Sequence, residues 1–80
     1  MPLSKDTLLQ YLQSEYGLDS ALADDTRLFS SGLLDSFCML GMITFIETQA
    51  DLRMKPSEVN LDNLDTVGGM LRYVAQRQIA

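Results

Sequence analysis

Gly32-Leu33-Leu34-Asp35-Ser36-Phe37 is the stretch whose reading decides this chain. It sets a glycine turn, an acid and a serine directly ahead of a run, Phe37 to Ala50, whose apolar residues recur with helical spacing. The junction predicts a helix over 36–50, entered through a turn and headed by one of two capping residues, Asp35 or Ser36. Only one of them can be the cap. If Asp35 takes that position, Ser36 becomes the first helical residue and its hydroxyl is left free. A helix start also favours an attached phosphate, through exposed amides and the dipole. Placed at 100° steps, Met39, Met42, Ile43, Ile46 and Ala50 share the expected core face. Phe37, Leu40, Gly41, Thr44 and Thr48 fall opposite, so two large apolar residues look outward close to Ser36, as residues of a contact surface would.

Upstream of this junction, Leu18 to Asp35 reads as one long connection. Asp19, Asp24, Asp25, Ser30, Ser31 and Gly32 are turn and cap formers, while Leu18, Leu28 and Phe29 can pin the loop to the core. Before it, Leu8, Leu9, Leu12 and Tyr16 predict a first helix over 6–16, capped by Ser4 or Asp6 and stopped by Gly17.

Downstream, Pro56 opens a short helical turn, and Val59, Leu61 and Leu64 are expected to pack inward. Asp65 or Thr66 caps a last helix that runs to about Gln78 and buries Val67, Met70, Leu71, Val74 and Ala75. Gly68-Gly69 inside it marks either a close approach or a frayed first turn. Arg77 suits the negative end of that helix's dipole. No segment alternates apolar and polar residues over a sustained run, so no sheet is expected. The reading is an all-α fold of one domain, 1–80: a small helical bundle of three main helices plus one short helix, with a long first loop.

Composition narrows the chemistry. Eleven acids against six bases give a formal charge of −5, the wrong sign for a phosphate-binding surface, so no nucleic acid is expected as a partner. The chain has no histidine and one cysteine, Cys38. That removes metal sites built from several His and Cys ligands, internal disulfides and any triad with a histidine base. Lys5 and Lys55 have no motif linking them to Ser36, so Ser36 lacks the base and oxyanion site that a nucleophile of its own would need. Cys38 reads as a small hydrophobe. No stretch is apolar enough over a sufficient length to span a bilayer. The start, Met1-Pro2-Leu3-Ser4-Lys5-Asp6, lacks the apolar run of a secretory signal, and the expected compartment is the cytoplasm.

Leu28-Phe29, then Gly32-Leu33-Leu34-Asp35-Ser36-Phe37 and a helix, resembles the attachment site of the acyl and peptidyl carrier protein family. The likeness runs along nearly the whole chain: a first amphipathic helix, an acidic loop, the serine heading the second helix, a short third helix, and a last helix opened by Leu64-Asp65-Thr66-Val67. The resemblance implies an acyl-carrier-like bundle with no catalysis of its own, expected to be a monomer. Ser36 would bear a covalent phosphopantetheine, attached by a phosphopantetheinyl transferase, making the chain a phosphoprotein. The terminal thiol of that arm would hold an acyl or aminoacyl group as a thioester, loaded by a ligase and passed to downstream transferase or tailoring enzymes.

Asp35 would act in positioning at the transferase interface, and Phe37, Leu40, Gly41 and Thr44 would meet partners. Fatty-acid carriers usually bear several acids along the second helix, whereas this sequence shows none between Ser36 and Glu47. Free-standing carriers for D-alanine and for pathway-specific amino acids share the Gly-Leu-Leu-Asp-Ser string. The resemblance therefore points to a dedicated aminoacyl or short-acyl carrier in specialised biosynthesis or cell-wall modification. The alternative reading is a non-covalent helical interaction module, docking through Phe37, Leu40 and Thr44, with Ser36 only a helix cap.

Overall fold

Four α-helices follow one another among the residues that the computed structural model describes, 3–18 and 22–79: α1 (Lys5–Tyr16), α2 (Ser36–Ala50), α3 (Leu61–Leu64) and α4 (Val67–Ile79). A 3-10 turn, Pro56–Glu58, precedes α3, and no strand occurs among the described residues. The expected turn former Asp19 lies outside them. No described helix is long and apolar enough to cross a membrane.

Local chemistry sets the helix ends. α1 begins at Lys5, one residue earlier than the periodicity predicts, because Ser4 is its cap: the Ser4 hydroxyl accepts from the Thr7 amide at 3.1 Å and donates to the Thr7 hydroxyl at 2.8 Å. Gly17 ends it in the left-handed conformation, φ 68°. α2 has the expected bounds. Its far end is held by Asp51 at φ 53° and by the Glu47 carboxylate, which accepts from the Met54 amide at 2.9 Å. Lys55 and Glu58 close the 3-10 turn, the Glu58 carboxylate accepting from the Lys55 amide at 2.8 Å.

The core collects Leu8 and Leu12 from α1, Met42, Ile46 and Ala50 from α2, Leu64 from α3, and Val67, Met70, Tyr73 and Val74 from α4. Each large aliphatic residue so buried is worth roughly 1.5–3 kcal/mol against exposure. Met39 and Ile43 pack at the margin of this cluster. Two expectations are corrected. Leu61 is 49 % exposed and Ala75 faces solvent, while Tyr73 is buried instead. The side of α4 that carries Tyr73 is covered because Arg77 donates to the Tyr73 hydroxyl at 3.0 Å and pairs with Glu58 of the 3-10 turn. Arg77 thus spends its charge on a side-chain partner.

The long loop is tied to the bundle from several directions. Leu28 and Leu34 are buried, and the Leu34 amide donates to the Leu28 carbonyl at 2.8 Å. The Leu28 amide donates to the Asp65 carbonyl at 2.7 Å. The Asp65 side chain is itself buried and accepts from the Phe29 amide at 2.7 Å, the Ser30 amide at 2.9 Å and the Ser30 hydroxyl at 2.6 Å. Burial acts to raise the Asp65 carboxyl, but the hydrogen bonds from Ser30 and Phe29 and the charge of Arg27 outweigh it and hold the group below the usual carboxylate range.

With Asp65 committed to the loop, Thr66 caps α4, its hydroxyl accepting from the Gly69 amide at 2.9 Å. The glycine pair marks a close approach: the Gly68 amide donates to the Asp24 carbonyl at 2.9 Å, and a Cβ on Gly68 would stand 3.2 Å from that oxygen.

Candidate functional site

The clasp at Asp65 fixes the route by which the chain enters α2. Beyond Ser30 the backbone turns at Gly32, whose amide donates to the Phe29 carbonyl at 3.1 Å and whose φ of 87° suits a residue without a side chain. Ser31 bonds back to the Arg27 carbonyl. Leu34 then plugs into the core and Leu33 turns outward, 49 % exposed. The plug brings Asp35 to the surface as the last residue before the helix.

Asp35 is the cap. It is extended (φ −92°, ψ 175°), and one carboxylate oxygen accepts from the Phe37 amide at 3.0 Å and the Cys38 amide at 3.2 Å. Ser36 is therefore the first residue of α2. It is exposed, and its hydroxyl makes no hydrogen bond among the described residues. A primary alcohol thus stands unengaged on a capped helix tip. Two of the amides that could have met a phosphate there are already taken by the Asp35 carboxylate. The helix start consequently offers an attached phosphate less than its bare geometry would, namely the dipole and a solvent-facing position.

Around this alcohol the surface is apolar. Phe37 is 84 % exposed and Leu40 is 68 % exposed. Thr44 is exposed, with its hydroxyl folded back on the Leu40 carbonyl at 3.1 Å. Gly41 differs from these. It is half-buried against α1, where a Cβ would lie 2.8 Å from the Tyr16 hydroxyl and 3.1 Å from that of Tyr11. Gly41 is where α1 closes on α2, and its part in an outward surface falls to the tyrosines above it. Leu33 joins the apolar rim without having been expected. The signal for it was the Leu33-Leu34 doublet, of which only Leu34 is taken into the core.

Tyr16 secures this seam by donating to the Cys38 carbonyl at 3.3 Å and sharing a 3.1 Å hydroxyl contact with Tyr11. Burial, with the Tyr11 hydrogen bond second, pushes the Tyr16 hydroxyl well above its ordinary range. Tyr11 stacks on Phe45 with ring centres 3.9 Å apart and planes 16° apart. Cys38 is half-buried, and burial, partly opposed by the backbone hydrogen bond at Asp35, pushes its thiol up. A thiol so placed is a poor thiolate nucleophile. Among the described residues no group of three or more His, Cys, Asp or Glu side chains could hold a metal ion.

Taken chemically, the tip can receive a group on oxygen and present it, with apolar side chains beside it. A phosphopantetheine fits these residues: the Ser36 oxygen is exposed and unengaged, and nothing packed on it would have to move. Neither the protein-family models nor the curated proteins compared with this chain match it.

Proposed function

We propose that the chain is a carrier protein whose Ser36 hydroxyl is esterified by a phosphopantetheinyl transferase. The observation that carries this reading is the division of labour at the head of α2: Asp35 does the capping, and the alcohol of Ser36 is left exposed with no bond to give up. When attached, the arm supplies a terminal thiol that holds an acyl or aminoacyl group as a thioester. The chain's own residues orient and display it. The α2 backbone fixes the Ser36 oxygen, the Asp35 carboxylate holds the helix start rigid and positions it at the transferase, and Phe37, Leu40 and Leu33 give partner enzymes an apolar rim to pack on.

The absence of acids from Phe37 to Ile46 favours a dedicated aminoacyl or short-acyl carrier over one that relies on charge steering. The partners are a loading ligase and the transferases or tailoring enzymes that follow it, and the working form is a cytoplasmic monomer. The test is to incubate the folded chain with coenzyme A, magnesium and a broad-range transferase. One arm's mass is expected on wild type and none on Ser36→Ala; unchanged wild-type mass with several transferases would overturn the reading.

The 84 % exposure of Phe37 also fits a second reading, a helical interaction module that works without an arm. It predicts a partner that binds Ser36→Ala and unmodified wild type equally tightly.

A further inference from the structure

Leu8, Leu12, Met42, Ile46, Leu64 and Met70 are fully buried against one another. Between α1 and α2, by contrast, an open groove of about 470 Å³ runs along the surface. Its α2 wall consists of two rows of residues spaced by four. Leu40, Thr44 and Thr48 form one row, and Gly41, Phe45 and Gln49 the other. One step back toward the helix start, the same rows reach Ser36 and Phe37. The rows that line the groove therefore lead back to Ser36.

Gly41 deepens it, since the Tyr11 and Tyr16 hydroxyls occupy the space that a side chain would need. The stacked Tyr11 and Phe45 rings give it an aromatic floor. Glu15, on the α1 side, is the only charged side chain among the described residues that line it.

On the reading of Ser36 as an attachment point, we propose that this groove is the resting site of the pantetheine arm. The lengths agree. Ser36 to Thr48 spans about 18 Å at the helical rise of ~1.5 Å per residue. The arm is a chain of about thirteen bonds, which reaches roughly as far when extended at ordinary bond lengths. The order of chemistry agrees as well. Leu40, one turn from Ser36, offers apolar contact to the branched methyl groups near the phosphate end, and the Phe45 ring offers it to the methylene groups farther along. Glu15 and the Thr48 hydroxyl offer acceptors to the amide N–H groups farther along. A second copy of the chain is opposed by the net charge of −5 that both copies would carry.

The test uses isotope-labelled protein, with mass and NMR spectra recorded on the same sample before and after arm attachment. Attachment is expected to shift the signals of Tyr11, Gly41, Thr44, Phe45 and Thr48 and to give through-space contacts from the arm's methyl protons to Leu40 and from its methylene protons to Phe45. Thr48→Trp, at an exposed position that fills the far end, should gain the same mass yet lose those contacts beyond Thr44. An arm present by mass, with shifts confined to residues 34–39 and no such contacts, overturns the groove while leaving the carrier reading intact. No gain of mass overturns both. Groove signals that move with the concentration of unmodified protein assign the groove to a second copy and overturn the proposal.

Discussion

Two serine–aspartate pairs in this molecule end in opposite states. At the loop clasp, the Ser30 hydroxyl donates to the buried carboxylate of Asp65, which also takes the Phe29 and Ser30 amides. At the tip of α2, the carboxylate of Asp35 takes two helix amides and the neighbouring Ser36 hydroxyl is left over. The residue types are the same; what differs is where each carboxylate finds its donors. A buried carboxylate draws in every donor within reach, because an unmet one is costly there. An exposed carboxylate at a helix start is satisfied by the amides the helix itself leaves open. The first arrangement locks a loop, and the second releases an alcohol.

The sharpest way to break this comparison is to remove the two hydroxyls separately. Ser36→Ala is expected to lose arm attachment completely while unfolding within about 0.5 kcal/mol of wild type, since a surface hydroxyl without a partner contributes little. Calorimetry beside intact mass reads both. Ser30→Ala should do the reverse, keeping attachment and losing about 1.5–3 kcal/mol, the usual worth of a hydrogen bond to a charged group. If Ser36→Ala destabilised the fold and Ser30→Ala did not, the two pairs would have been assigned the wrong way round.

Asp65 tests the locked pair by pH. Its folded carboxyl titrates below the unfolded value of about 4. Its contribution is therefore fully present above that value and is lost as pH falls through the lower, folded one. Thermal unfolding should be insensitive to this group between about pH 5 and 7 and should drop steeply below about pH 4. Asp65→Asn should lower stability at neutral pH and flatten that drop; an unchanged acid limb in the variant would remove Asp65 from the clasp.

Asp35 tests the open pair more gently. Asparagine caps about as well as aspartate, so Asp35→Asn should unfold within a few tenths of a kcal/mol of wild type. Asp35→Ala should cost about 1 kcal/mol. If Asp35 also positions the helix tip through its charge, Asp35→Asn slows transfer by roughly tenfold or more, the worth of one charged contact. Transfer at the wild-type rate would confine Asp35 to capping.

The local half of the structure was legible in the sequence. The bounds of α2 follow from apolar periodicity, and the outward placement of Phe37 and Leu40 follows from helical geometry. Whether Asp35 or Ser36 would cap was a choice between adjacent residues, and the geometry settles it for Asp35. What escaped was non-local. Asp65 looked like a cap for the helix it precedes, but its donors lie on Phe29 and Ser30, far back in the chain. Tyr73 sits off the apolar stripe of α4 and is buried because Arg77 and Glu58 join beside it. Gly41 shares a helix face with Thr44, yet the tyrosines of α1 close over it. Periodicity reports the face a residue occupies on its own helix, and it carries no information about which neighbour arrives there.

The most direct measurement is fragment mass spectrometry of the arm-bearing tryptic peptide between Arg27 and Arg53, which holds Ser30, Ser31 and Ser36 together. The arm is expected on Ser36 alone, because the other two hydroxyls are already bonded to Asp65 and to the Arg27 carbonyl. An arm found on Ser30 or Ser31, or none on any of the three, would contradict it.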